Sequence, residues 1–241
     1  MNVTAIIQAR MGSTRLPGKV MKTLGDRSVL GHVITRVKAI PLVDQVVVAT
    51  TDLPEDAVIA EEAVRCGACV YRGSERHVLS RYYEAASEAK ADAVVRFTSD
   101  CPLLDPGISA GVIRKFREGG FDYVRLGLET HPRGLDTEVF TFAALKQVYE
   151  EADKDYECEH VTPFILERPD RFRIGIVQQD ANDSGYRLTL DTPEDWQLIA
   201  LIYGELYKGE IFSWSDVKRV LQAHPEWVRI NAGVKQKMLG E

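Results

Sequence analysis

Four cysteines in 241 residues are too few to imply a disulfide framework. Cys66 and Cys69 form a single C-x-x-C, but no second pair is spaced to complete a zinc tetrahedron. A helix is expected to end near Cys66-Gly67 and a strand to begin near Cys69, so these thiols read as small, core-type residues. Long apolar runs are missing as well. The stretch at Met1 meets Arg10 too soon for a signal-peptide core, and no later run could cross a bilayer, so a cytoplasmic chain is expected. There is no excess of positive charge: 30 Lys and Arg against 36 Asp and Glu leave a net charge of -6. That balance argues against a general nucleic-acid or anionic-membrane binder, which presents a broad basic face. There is no G-x-G-x-x-G, hence no dinucleotide-binding fingerprint. Repeats, low-complexity tracts and linkers are also missing, and residues 1–241 are expected to form a single domain.

What is present is an ordinary globular composition, 45% hydrophobic and 27% charged. Apolar strand-like runs at Val3–Gln8, Gln45–Thr50, Ala68–Tyr71 and Ala93–Thr98 alternate with helical patterns, which predicts a parallel α/β sheet. Ser28 can cap a helix whose stripe is Val29, Leu30, Val33, Ile34 and Val37. Pro54 opens a second helix, His77 to Lys90 forms a third, and Pro106 to about Arg117 a fourth. Phe121 to Leu126 resumes strand character. Residues 127–180 are expected to form an excursion for acceptor binding or dimerisation, beginning with the turn-rich Glu129–Asp136. Helices are expected at Phe142–Glu151 and Glu157–Glu167, strands at Phe172–Val177 and Tyr186–Leu190, and helices at Pro193–Tyr207 and Ser215–Ala223.

Directly after the first strand comes Ala9-Arg10-Met11-Gly12-Ser13-Thr14-Arg15-Leu16-Pro17-Gly18-Lys19. Three cations and two glycines in one loop read as a polyphosphate grip. Glycine lets backbone N–H groups approach phosphate, arginine offers a fork of donors, and lysine a mobile charge. Such a loop would lie at the carboxyl edge of the sheet, where open α/β sheets bind ligands. It is not a P-loop. Five residues separate Gly12 from Gly18 instead of four, and Val20 stands where a metal-binding hydroxyl is required.

Two expected strands end in carboxylates: Asp100-Cys101-Pro102-Leu103-Leu104-Asp105 and Asp191-Thr192-Pro193-Glu194-Asp195. Magnesium takes one or two protein carboxylates and completes its octahedron with water and phosphate. In the second motif Thr192 is the natural N-cap, Pro193 the first helical residue and Asp195 the returning capping-box side chain, which leaves Asp191 for metal. In the first, Asp100 is taken as ligand and Asp105 as helix cap, although Asp100 starting a turn before Pro102 fits the local pattern too.

The segment Ile6–Lys19 resembles the nucleotide-binding signature of the cytidylyltransferases that make CMP-activated acidic sugars, such as the 3-deoxy-manno-octulosonate and acylneuraminate enzymes. Arg72-Gly73-Ser74-Glu75, Thr98–Asp105, Pro132-Arg133-Gly134-Leu135-Asp136, Glu159-His160-Val161-Thr162-Pro163 and Leu190–Asp195 together resemble most the spore-coat polysaccharide biosynthesis branch. The resemblance spans nearly the whole chain up to Trp196. It implies a three-layer α/β/α nucleotidyltransferase fold with a mostly parallel sheet, CTP as donor, Mg²⁺ as cofactor and a homodimer. By motif, Arg10, Arg15 and Lys19 would hold the triphosphate in a loop that includes Met11, Gly12 and Ser13. Backbone near Ala9 would read the base, and Arg72, Gly73 and Ser74 would lie along the nucleoside. Asp100 and Asp191 match the metal pair. The acceptor segments of the octulosonate and acylneuraminate enzymes are not recognisable here. Arg133, Asp136, Glu159 and His160 are instead the candidates for an anionic sugar or sugar-acid acceptor, with Arg133 facing its carboxylate.

The chemistry so implied is in-line attack of an acceptor hydroxyl on the α-phosphorus of CTP, with Arg15, Lys19, Asp100 and Asp191 as the catalytic set. Two other readings are weighed. A nucleotide-sugar glycosyltransferase would need a D-x-D motif, and Asp153-Lys154-Asp155 is the sole example, placed after a helical pattern where a solvated face is expected. A nucleotide-binding regulatory protein without turnover would keep the fold but has no need of both the cationic loop and the paired carboxylates.

Overall fold

A computed structural model describes residues 1–236. In chain order the elements are β1 (Val3–Gln8), β2 (Thr23–Leu24), β3 (Arg27–Ser28), α1 (Val29–Lys38), β4 (Gln45–Thr51), α2 (Ala57–Arg65), β5 (Cys69–Gly73), α3 (Val78–Glu88), β6 (Ala93–Thr98), α4 (Pro106–Arg117) and β7 (Tyr123–Leu126). They continue with β8 (Glu138–Thr141), α5 (Phe142–Glu151), α6 (Asp155–His160), α7 (Pro163–Leu166), β9 (Ile174–Val177), α8 (Pro193–Leu206), α9 (Trp214–Ala223) and α10 (Pro225–Val228). Seven strands form one sheet in the order β5-β4-β1-β6-β8-β7-β9, and β2 pairs with β3 in a small separate ribbon.

Alternation along β1 builds the three layers. Ala5 and Ile7 point into a core shared with Leu30, Ile34 and Val37 of α1, while Ile6 points to the other face, against Leu79, Tyr82 and Ala86 of α3. All these side chains are buried. Each leucine, isoleucine or valine among them contributes about 1.5–3 kcal/mol by leaving water. This is the expected α/β/α architecture.

The local signals act as their chemistry predicts. The Ser28 hydroxyl accepts the Gly31 N–H at 2.8 Å and starts α1. Asp105 accepts from Gly107 and Ile108 at the head of α4, which makes it the cap and leaves Asp100 outside it. Thr192 and Asp195 close a capping box on α8, with Pro193 as its first residue. Cys66 caps the end of α2 and Cys69 opens β5.

Two expectations are corrected. Tyr186–Leu190 is not a strand: it makes one isolated bridge, between Arg187 and Arg133. Leu188, Thr189 and Leu190 are all buried, and the leucine N–H groups bond to loops, Leu188 to the Arg133 carbonyl at 2.7 Å and Leu190 to the Asp100 carbonyl at 2.8 Å. Glu157–Glu167 is not one helix. It breaks between α6 and α7 at Val161, whose φ is 71°, and Pro163, which has no N–H to continue the first helix, opens the second as its first residue. The sheet is mostly parallel, as expected, with β8 running antiparallel to both β6 and β7. Residues 127–180, expected as an excursion, supply β8 and β9 to the sheet.

Candidate active site

Six strands end at one edge of the sheet, and β8, running the other way, begins there. Around that edge lie the loop after β1, the turn after β6, the segment before β8 and the segment before α8.

The loop after β1 is held from below. Ala9 extends the ladder through its N–H to the Ala49 carbonyl at 3.2 Å. The Met11 N–H donates to buried Asp56 Oδ1 at 2.6 Å, and the Thr51 hydroxyl donates to the other Asp56 oxygen. The Met11 carbonyl then accepts from Ser13 and Gly18 at 2.8 and 3.3 Å, curling the chain on itself. Gly18 has φ of 64°, the left-handed conformation that glycine adopts without strain, and this turn launches the short helix that carries Lys19. A Cβ at Gly12 would meet nothing within 4 Å, so the backbone there is openly approachable.

Lys19 is the centre of the arrangement. Its Nζ lies 2.8 Å from Asp100 Oδ2 and 2.8 Å from Asp191 Oδ1. Arg15 Nη2 reaches the same Asp191 oxygen at 3.1 Å. Asp191 Oδ2 accepts from Arg187 at 2.8 Å, and Arg187 is also held by Asp195. Burial works against the charged form of Lys19, but the two carboxylates outweigh it and raise its pKa. Burial likewise pushes Asp100 up, and the adjoining ammonium more than compensates, holding it below its ordinary value. Lys19, Arg15 and Arg187 thus face Asp100, Asp191 and Asp195, and the cluster is neutral by itself.

The two carboxylates that converge on Lys19 fit a divalent cation. A positive group already stands between them, with one oxygen of each directed at it. Asp195 is no third ligand, since its oxygens are taken by Arg187, Asn231 and two backbone N–H groups. Among the described residues no cluster of three or more His, Cys, Asp or Glu forms a richer metal site. A pair of aspartates matches the sparse protein ligation of magnesium.

Arg72, Gly73 and Ser74 lie at the end of β5, two strands away from β1. The Arg72 guanidinium is committed to the carbonyls of Thr51 and Leu53 at 2.9 and 2.8 Å, so it braces the turn after β4. Arg10 faces Glu159 across 3.9 Å, both half in solvent, and joins the first loop to the end of α6. Burial lowers the His160 pKa and so favours the neutral imidazole, a shift that Glu159 opposes and Arg96 and Arg10 reinforce. Asp136 accepts the Gly134 N–H at 2.6 Å, and burial raises its pKa. Gly134 has φ of 104°, and a Cβ there would sit 2.5 Å from the Leu188 carbonyl carbon. Only glycine lets the segment carrying Arg133 touch the one leading to Asp191. Asp153 and Asp155 are exposed at the start of α6, as a solvated face.

Sequence reasoning missed several contributors. Asp56 reads as one of the acids opening a helix. Arg187 lies in the stretch read as a strand, although its place four residues before Asp191 is a visible signal. Arg96 and Glu138 pair across β6 and β8, with Gln8 Oε1 accepting from Arg96 at 3.3 Å and from Tyr82 at 3.2 Å. Glu138 also accepts from Thr162 at 2.9 Å and from the Tyr123 hydroxyl. An arginine inside the apolar run of β6 was the clue to this polar floor. Its partner strand β8 carried no recognisable pattern.

A family model described as cytidylyltransferase matches residues 4–223. The spore coat polysaccharide biosynthesis protein SpsF of Bacillus subtilis is 32% identical over 93% of this chain and 96% of its own length. A solved cytidylyltransferase from Leptospira borgpetersenii superposes with a TM-score of 0.90 at 33% identity, covering 99% of both chains. CMP:2-keto-3-deoxy-manno-octonic acid synthetase, solved with CTP, superposes with a TM-score of 0.67 at 17% identity over 85% of this chain and 99% of its own. That last likeness is one of fold.

Proposed function

The chain belongs to the cytidylyltransferase family and is a nucleotidyltransferase; from that premise we propose that it transfers CMP from CTP to a sugar acid or related anionic sugar, releasing pyrophosphate, in surface polysaccharide synthesis. The observation that carries this reading is the convergence of Asp100 and Asp191 on Lys19 beneath a loop with two more cations. The acceptor hydroxyl oxygen bonds to the α-phosphorus as the bond to the bridging oxygen of the β-phosphate breaks. The hydroxyl proton leaves to water or a basic side chain, and pyrophosphate departs in line. No covalent enzyme intermediate is required.

Asp100 and Asp191 would hold Mg²⁺, which supplies charge neutralisation at the phosphates. Lys19 and Arg15 exchange their carboxylate partners for phosphate oxygens and stabilise the leaving group. Arg10, at the open end of the loop, contacts the triphosphate. The approachable N–H of Gly12 donates to it, while Ser13 closes the turn through its own N–H on the Met11 carbonyl, and the backbone around Ala9 and Met11 lines the base. Arg72, Gly73 and Ser74 shape the nucleoside side of the cleft, Arg72 by bracing its wall. Arg133, Asp136, Glu159 and His160 surround the acceptor. A neutral His160 hydrogen-bonds hydroxyls there, and the acceptor carboxylate falls to Arg133. Pairing of two chains belongs to the same reading and is checked by light scattering.

Calorimetry with CTP, UTP, GTP and ATP, with and without Mg²⁺, tests the donor. Selective, magnesium-enhanced CTP binding supports the assignment, and preference for another base removes it. Pyrophosphate release against a panel of acidic and neutral sugars then identifies the acceptor. A nucleotide-sugar glycosyltransferase would release a nucleoside mono- or diphosphate instead.

A further inference from the structure

Asp191 is held by side chains that come from well beyond its own motif. Arg187 donates from Nη2 to Asp191 Oδ2 at 2.8 Å and grips Asp195 with both Nε and Nη2 at 2.9 and 3.0 Å. Asp195 is fully buried and accepts in addition from the Asp191 and Thr192 N–H groups at 2.9 and 3.1 Å. Its remaining support is Asn231, which follows α10 in the chain. Asn231 Nδ2 donates to Asp195 Oδ1 at 2.8 Å and to the Arg187 carbonyl at 3.0 Å. Asn231 is itself only 2% exposed. Both partners of the Asn231 amide are acceptors, so its nitrogen, not its oxygen, must face them.

The consequence for Asp191 is geometric. With Oδ2 committed to a guanidinium that is pinned by a buried carboxylate, the group cannot rotate, and Oδ1 alone is presented to Lys19 and Arg15. A neutral donor at position 231 supports Asp195 without disturbing the balance of three cations and three carboxylates. We propose that Asn231, acting through Asp195 and Arg187, is a positioning residue for Asp191, so that the segment following α10 is part of the catalytic centre. The relay rests on the reading of Asp191 as a metal ligand given above. Partners behind a metal ligand fix its orientation and typically change metal affinity 10- to 100-fold when removed.

The test uses Mn²⁺ as probe ion and water-proton relaxation to measure its affinity for the full chain with CTP bound. Asn231→Ala should weaken Mn²⁺ binding about tenfold and lower kcat, with the KM for CTP within about twofold of wild type. Circular dichroism confirms the fold. Wild-type Mn²⁺ affinity in a folded Asn231→Ala chain overturns the relay while leaving the cytidylyltransferase reading intact. Should that variant not fold, Arg187→Lys takes its place. It keeps the charge but loses the fork that joins the two carboxylates, and the same tenfold loss is expected, with an unchanged affinity again overturning the proposal. If the wild-type chain with CTP binds no Mn²⁺, the metal role of Asp191 fails first and the relay falls with it.

Discussion

Asp100 and Asp191 meet at one ammonium but are brought there by different means. Asp100 follows β6, a strand locked between β1 and β8 by backbone hydrogen bonds, so its place is set by sheet register. Asp191 ends a segment that belongs to no strand. It is set by two backbone bonds to loops, a glycine that lets two segments of the chain touch, and a side-chain relay. A position held by a sheet is buffered against single substitutions around it, whereas a position held by side chains passes each local change to the carboxylate.

Asp100→Asn changes the chemistry and leaves that scaffold alone, so it should show the largest effect. Turnover is expected to fall on the order of 10³-fold with much smaller change in CTP affinity. Wild-type-like turnover would take Asp100 out of the site. Lys19→Gln removes the group that both carboxylates share. Single-turnover rates should drop about 100-fold, and Mn²⁺ should bind more tightly without nucleotide because no ammonium competes for the carboxylates. Equal Mn²⁺ affinity in the two proteins would break the picture of exchange at that position.

Gly134→Ala strikes the side-chain-held half. The new Cβ meets Leu188 backbone, so thermal unfolding should report a loss of about 2–3 kcal/mol, and activity should fall with it. A neutral result would show that the approach of the two segments is not needed to hold Asp191. Arg133→Ala should raise the KM for an anionic acceptor about tenfold while that for CTP stays put. Retained acceptor affinity removes Arg133 from the acceptor pocket.

The smallest effect is the pH response of the relay. Burial alone would raise the Asp195 carboxyl, but Arg187, Asn231 and the Asp191 N–H hold it below 3.8. A depressed folded pKa means that its stabilisation is fully present above 3.8 and is lost as pH falls through the lower folded value. Asp195→Asn should therefore flatten the stability curve below about pH 4, by at most about 1.4 kcal/mol per pH unit. An unchanged acid slope would mean that the carboxyl is not tied to Arg187 in solution.

The same contrast explains what was legible in the sequence. β1, β6, their helices and the caps at Ser28, Asp105 and Thr192 could be read because each depends on neighbours in the chain. The place of Asp100 just past β6 could be read because an apolar run leads straight to it. Asp191 was expected at the end of a strand that does not form, since Leu188 and Leu190 alternate in the sequence like strand residues while their backbone partners lie in distant loops. β8 is four residues long with a charged end, too short to show a period. Asn231, 36 residues beyond the carboxylate it supports, carries no local signal at all. Side-chain bonds across such distances become visible only once the chain is folded.

The neutral cluster around Lys19 bears on how the protein lives between turnovers. Small domains that fold around a metal collapse when it is withdrawn, because ligation energy is folding energy for them. Here the ammonium fills the gap between the acidic groups, and the resting protein brings its own counterions. Chelation is therefore expected to silence the enzyme and leave its fold intact. A cell short of divalent ions would keep a standing stock of idle, undamaged molecules, ready to resume when supply returns.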